Sequence, residues 1–299
     1  MPLPVVSHPG YEVDIGPHVF PMAKYRLVRE RLLAAGAIAQ GDLLAPEPVT
    51  DDDVLLVHTP AYVRKLREGT LSRVEELTLE VPFSPALRDG MWLMTGGTLL
   101  AARRALERRI AVHLGGGFHH AFPDHGEGFC LVNDVAIAIR VLARDGAAPR
   151  ALVVDLDVHH GNGTAAIFRD DEAVFTLSMH QERNYPAWKP AGDLDVGLDD
   201  RTGDAAYLAA LHRHLPGVVE RHRPDVAFYL AGADPYREDQ LGGLALTLEG
   251  LRERDAFVFR TLADADVPVA AVLAGGYAVR QEDTVEIHCN TVRAALAAG

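Results

Sequence analysis

Short β-branched apolar runs alternate along this chain with longer stretches rich in Ala, Leu and Arg. The runs Val54–His58, Ile110–Leu114, Ala151–Asp157, Ala173–Ser178, Val226–Ala231 and Val267–Leu273 are predicted strands. Most are nearly continuous in hydrophobicity rather than alternating, as expected of strands buried on both faces of a parallel sheet. Between and before them, Met22–Ala35, Thr98–Arg108, Asn133–Ala143, Gly203–Arg221 and Leu248–Ala263 are predicted helices. They carry apolar residues on one side and charged residues on the other. Thr98 and Asn133 are suited to cap two of them. No repeat, low-complexity tract or Ser/Pro-rich linker divides the sequence. The alternation therefore predicts one three-layer α/β/α domain over 1–299, built on a mainly parallel sheet.

Ligands of open parallel sheets sit outside the carboxyl ends of the strands. Five of the predicted strands end there in polar or glycine-rich tips. These are Gly115-Gly116-Gly117-Phe118-His119-His120, Asp155 to His159, Ser178-Met179-His180, Gly232-Ala233-Asp234 and Gly275-Gly276-Tyr277. That edge is the expected site.

In an extended segment Asp155, Asp157 and His159 point one way, and Leu156 and Val158 the other. Two carboxylates and an imidazole at a buried strand end are costly unless a cation offsets their charge. The donor set suits zinc or another first-row divalent ion. A solvated polar loop is the competing reading, and Gly161-Asn162-Gly163 favours the metal by letting the backbone turn tightly behind the ligands. A catalytic metal with an open position needs a third protein ligand. Asp234 follows the small residues Ala231-Gly232-Ala233 and is the candidate, though it suits a turn before Pro235 equally well. With 14 histidines in 299 residues the adjacency of His119 and His120 carries no information; their position behind three glycines does. Such a pair can accept and return a proton near neutral pH. Tyr277 either packs or donates its phenol to a developing oxyanion. Phe129 lines a slot or joins the core.

Composition narrows the class. A chain 48% hydrophobic and 24% charged has ample apolar surface to offset the entropy of ordering, which excludes disorder for most of it. Its net charge of −13 disfavours direct nucleic-acid binding. Cys130 and Cys289, the two cysteines, can build neither a disulfide framework nor a four-thiolate zinc site. Together with an opening MPLPVVSHPG that lacks a signal-peptide pattern, this predicts a cytoplasmic protein. The most apolar stretch, Met91–Ala102, is too short and interrupted to span a bilayer, so no membrane partner is expected. Nothing in the sequence fixes the oligomeric state.

The segments GGGFHHAFPDHGEGFCLVNDVAIA, VVDLDVHHGNGTAAIF, LAGADPYREDQLGGLALT and VLAGGYA resemble the zinc-dependent histone deacetylase family, within the arginase/deacetylase superfamily. HVFPMAKYRLVRERL (His18–Leu32) is similar to the class IV branch and its bacterial relatives. The resemblance implies a sheet of about eight parallel strands, with Asp157, His159 and Asp234 holding Zn2+ (or Fe2+, which takes the same donors). It implies His120 as principal general base and later acid, with His119, backed by Asp155, assisting. Tyr277 matches the tyrosine that polarises the scissile carbonyl. Gly128 would offer its carbonyl to the substrate amide and Phe129 one wall of an acyl-lysine channel. The opposite wall falls in Gln181–Lys189, where Tyr185 and Trp188 are the candidates. Ser178 and Met179, with Asp155, Asp157 and His159, fall where the family binds a potassium ion. Asn162 stands behind His120 where class I members carry an aspartate, so His120 should favour its neutral form. The implied activity is hydrolysis of a linear amide, removing an acyl group from acyl-lysine in protein or from a small acylated amine such as an acetylpolyamine. A catalytically weak acyl-lysine-binding module and a ureohydrolase-like enzyme on the same fold are the alternatives.

Overall fold

A computed structural model describes residues 2–299 of the chain. In chain order the elements are β1 (Val5–Val6), α1 (Lys24–Ala34), β2 (Leu43–Leu44), α2 (Asp51–Val54), α3 (Pro60–Glu68), α4 (Arg73–Leu79) and α5 (Pro85–Arg108). Then come β3 (Ile110–His113), α6 (Asp134–Arg144), β4 (Ala151–Asp155), α7 (Asn162–Phe168), β5 (Val174–Gln181) and β6 (Leu194–Leu198). The chain closes with α8 (Asp204–His222), β7 (Val226–Leu230), α9 (Leu248–Asp264), β8 (Val269–Val272) and α10 (Gln281–Ala298).

Among the described residues the eight strands form one sheet in the order β2-β1-β3-β8-β7-β4-β5-β6, and every pairing is parallel. Parallel neighbours need crossovers, and these are right-handed, so the direction of each step along the sheet decides which face its helix covers. The steps β2→β3, β3→β4 and β4→β5 run one way and put α5, α6 and α7 on one face. The steps β1→β2, β6→β7 and β7→β8 run the other way and put α1, α8 and α9 on the opposite face. The packing agrees: α5 lies on α6, while α8, α9, α10 and α1 form a continuous row. A sheet sandwiched in this way buries β3, β4, β7 and β8 at every residue. No helix among the described residues is long and apolar enough to cross a membrane.

The chain leaves β4 toward β5 and leaves β7 in the opposite direction toward β8, yet β4 and β7 are neighbours. Connections that part from adjacent strands open a crevice at the carboxyl edge. The loops after these two strands carry Asp157 and His159 on one side and Asp234 on the other.

Several expected boundaries moved. Val54–His58 is not a strand but the end of α2 and the turn after it. Thr50 accepts from the Asp53 amide and Asp53 from the Thr50 amide, a capping box that nucleates a helical turn just before the apolar run. The helix expected from Thr98 begins at Pro85 instead, capped by Ser84, whose hydroxyl accepts from the Leu87 amide at 3.0 Å. Thr98 is therefore buried mid-helix rather than at a cap, and donates to Asp134 at 2.5 Å. Asn133 does cap α6, accepting from the Ala136 amide at 3.0 Å. The regular part of β4 stops at Asp155. Extended pairing nevertheless continues, since the Leu156 amide donates to Leu230 and the Val158 carbonyl accepts from Gln181.

Candidate active site

Asp157 and Asp234 face each other across the crevice, each with one carboxylate oxygen held by a backbone amide from another loop and the other turned toward His159. Asp157 Oδ2 accepts from Gly275 at 2.8 Å, and Asp234 Oδ1 from Val158 at 2.9 Å. Nδ1 of His159 lies 3.0 Å from Asp157 Oδ1 and 3.5 Å from Asp234 Oδ2. Asp157 Oδ1 also accepts from the His159 amide at 3.0 Å. Amide anchoring of this kind aims ligand carboxylates before any ion arrives. Gly275 is required by the close approach: a Cβ there would lie 2.6 Å from Asp157 Oδ2 and would collide with Asp234 Oδ2.

All three side chains are buried, and ligand atoms from the three lie within 4.8 Å of one another. Asp234 Oδ2 has no hydrogen-bond partner although no solvent reaches it. An orphaned carboxylate oxygen is expensive in a protein interior, and a cation would satisfy it. Burial and the neighbouring Asp157 charge raise the Asp234 pKa. Burial would lower that of His159, but the two carboxylates outweigh it and raise it. The His159 shift reports the negative charge that the two carboxylates place around its ring. Two carboxylates and one imidazole nitrogen are a sound donor set for Zn2+ or Fe2+.

His119 and His120 sit beside this group in the loop after β3, with their Nε2 atoms 3.1 Å apart. His119 Nδ1 donates to Asp155 Oδ2 at 2.7 Å. Burial pulls its pKa down, yet Asp155 and Asp157 prevail and raise it to about 9. His120 Nδ1 lies 2.7 Å from Asn162 Oδ1, so its backing is neutral, and burial beside His119 and His159 depresses its pKa well below 6.5. Tyr277 is buried with its ring 6.5 Å from that of His159. Its phenol titrates well above 10 because it is buried near Asp157 and Asp234, so it remains a donor.

A cavity of about 400 Å³ opens above these groups, lined by His120, His159, Tyr277, Gly128, Phe129, Tyr185, Glu80, Asn184 and Leu241. Gly128 and Phe129 occupy the centre of a tight hairpin closed by the paired residues Glu127 and Cys130. Both central residues have left-handed φ, 52° and 68°. That is the geometry of a primed turn, unusual for phenylalanine and characteristic of functional sites. Tyr185 faces His120 edge-on at 5.0 Å between ring centroids. Trp188, the other candidate wall, stacks outside on Phe122 and is 63% exposed. It does not line the cavity. Ser178 pairs with Asp155 between β4 and β5, with Met179 buried next to it. The strand-end loops thus bring together His119, His120, Asn162, Asp155, Asp157, His159, Asp234, Tyr277, Gly128, Phe129 and Tyr185.

Sequence reasoning missed Glu80 at the cavity wall, Lys24 beneath it and Glu127 beside it. Lys24 is wholly buried; its Nζ donates to the Ala274 carbonyl at 2.6 Å and lies 5.8 Å from the centre of the Tyr277 ring. Burial lowers its pKa to about 8 despite Asp234 and Asp157 nearby. Its partner is 250 residues away, and no local pattern announces it. Glu127 stood within a quoted motif, and its place between two glycines at a cavity-forming turn was the signal available.

This all-parallel α/β architecture, with a carboxylate–imidazole centre beside paired histidines, is one that the chain shares with known proteins. Residues 18–292 match the histone deacetylase domain. An uncharacterized protein of Picosynechococcus is 44% identical over 296 residues, 99% of each chain. Histone deacetylase 2 of Arabidopsis thaliana is 30% identical over 87% of this chain and 70% of its own length. A probable deacetylase of Methanothermobacter thermautotrophicus is 34% identical over 76% and 71%. The crystal structure of the HDA15 HD domain superposes with a TM-score of 0.81 at 23% identity, covering 98% of this chain and 90% of that one, which establishes the shared fold. The chain belongs to the histone deacetylase family. It is a hydrolase acting on amides.

Proposed function

We propose that this enzyme removes an acyl group from an N-acylated amine, either acyl-lysine in protein or a small acylated amine such as an acetylpolyamine. One observation carries the reading. The orphaned oxygen of Asp234, Oδ1 of Asp157 and Nδ1 of His159 converge beside a histidine pair and a tyrosine. Asp157, His159 and Asp234 would hold Zn2+ or Fe2+, which supplies Lewis acidity to the acyl carbonyl and to the attacking water.

The chain's own groups do the rest. Tyr277 donates its phenol to the carbonyl oxygen as negative charge develops there. His120, neutral because it is buried against Asn162 rather than a carboxylate, takes the water proton at Nε2. His119, held by Asp155, orients the water. As the C–N bond breaks, the proton passes to the departing amine, leaving a carboxylate and a free amine. The Gly128 carbonyl accepts from the substrate amide, and the acyl-bearing stem lies between Phe129 and Tyr185. Asp155, Asp157, His159, Ser178 and Met179 would bind a potassium ion through mainly backbone oxygens and stiffen the loop that carries the ligands. Both cysteines are free and buried, in keeping with work in the cytoplasm. We take the whole chain as one catalytic domain.

The test is a panel of acyl-lysine peptides and acetylated polyamines offered to protein loaded with Zn2+ or Fe2+. Release of free amine from at least one substrate class is expected. No release from any of them with either metal overturns the proposal.

A further inference from the structure

The Asn162 amide has nearly the same shape either way round, yet its two ends have opposite consequences for His120. With Oδ1 toward the ring, His120 Nδ1 must carry hydrogen and Nε2 is left with a lone pair. With Nδ2 toward the ring, Nδ1 becomes the acceptor and the hydrogen moves to Nε2, where it blocks proton uptake. The orientation of an amide follows from its partners. The contact between the Nε2 atoms of His119 and His120 does not name its donor by geometry alone, since that turns on the protonation of His119.

Glu127 decides the orientation of the amide. Its Oε1 lies 2.7 Å from Asn162 Nδ2, and Asn162 is only 1% exposed. A carboxylate has no hydrogen to give, so the NH2 end must face Glu127 and the carbonyl end must face His120. Glu127 remains ionised: burial raises its pKa, but His125, Asn162 and Tyr185 together bring it below the ordinary value. The same Oε1 accepts from the Tyr185 hydroxyl at 3.1 Å.

We propose that Glu127 is a positioning residue which, through Asn162, fixes His120 in the tautomer able to accept a proton, and which tethers the Tyr185 wall to that same setting. The proposal rests on the role given above to His120. Its primary readout is nevertheless the tautomer itself, which is measured without turnover.

The experiment uses full-length protein labelled with 15N-histidine. Nitrogen shifts of His120 are assigned through His120→Asn and compared in wild type, Glu127→Ala, Glu127→Gln and Tyr185→Phe. In wild type and Tyr185→Phe the hydrogen should sit on Nδ1. In Glu127→Ala the Nε2–H form should appear. Glu127→Gln keeps an acceptor oxygen and should restore part of the Nδ1–H population. With an acylated substrate, kcat of Glu127→Ala should fall about tenfold or more, as for other loss of buried support. Glu127→Gln should recover much of that, and Tyr185→Phe should act mainly on KM. An unchanged Nδ1–H signal in Glu127→Ala overturns the inference even if the enzyme is active. A shifted tautomer in a protein that hydrolyses no amide sustains the inference and defeats the proposed function.

Discussion

The backbone amide of Asn133 donates to Nε2 of His58 at 3.0 Å. The opposite ring nitrogen, Nδ1, donates to the Phe122 carbonyl at 3.0 Å. One imidazole thus ties together two ends of the segment that follows the histidine pair, and it can do so only when neutral. Burial lowers its pKa to about 4, against hydrogen bonds that work to raise it. Below pH 6.5 the unfolded chain takes up a proton that the folded ring refuses. Stability should therefore fall as pH drops from about 6.5 to about 4, by about 3 kcal/mol from this residue alone. His113, lowered to about 3 by burial, extends the loss to lower pH. Urea unfolding of wild type and His58→Gln at pH 7.5 and 4.5 checks this. The variant should start less stable and lose less, and an equal loss in both would refute it.

Removing the Tyr277 hydroxyl should slow the chemistry and spare the metal centre. Tyr277→Phe is expected to lower kcat by about 3 kcal/mol, a few hundredfold, with metal content unchanged. Turnover at the wild-type rate would assign Tyr277 to packing alone.

Asp234→Asn should produce a crossover. The substitution keeps an oxygen for the Val158 amide but removes a negative charge buried against Asp157. Metal-free variant should melt above metal-free wild type, because like-charge repulsion is relieved. With Zn2+ added, wild type should gain stability by mass action and the variant should gain little. Melting curves with and without metal decide it, and equal gains in both would remove Asp234 from the ligand set.

A methyl group at position 275 should damage the same centre by another route. Gly275→Ala places its Cβ against both ligand carboxylates. Metal affinity should fall at least tenfold while the circular dichroism of the fold is retained. Unchanged affinity by competition with a chelator would show that the loop yields easily.

How much of this was legible beforehand follows from how each feature is held. β3, β4, β7 and β8 are covered on both faces, so they read as continuous apolar runs. β6 alternates between half-buried and exposed residues at the edge of the sheet, and β1 and β2 have two residues each; none of these leaves such a run. Leu55 and Leu56 misled because they look like a strand yet lie more than a third exposed in a turn. Asp157 and His159 were visible because their partnership is local. Asp234 and Tyr277, remote along the chain, were visible through the rule that strand ends gather at one edge and through the resemblance carried by LAGADPYREDQLGGLALT and VLAGGYA. Glu127 and Lys24 take their meaning from Asn162 and Ala274, contacts that exist only once the chain has folded.

The hairpin at Glu127–Cys130 concentrates three duties in adjacent residues. On the roles proposed above, an acid that steers a distant imidazole, a carbonyl offered to the substrate amide and an aromatic slab beside the acyl stem would share a single bend of backbone. A substitution that re-aims the slab also drags the acid, so selectivity and proton transfer cannot drift apart freely in this lineage. Variants selected for bulkier acyl chains should carry changes on the Tyr185 side, where the cavity can be reshaped without disturbing that bend.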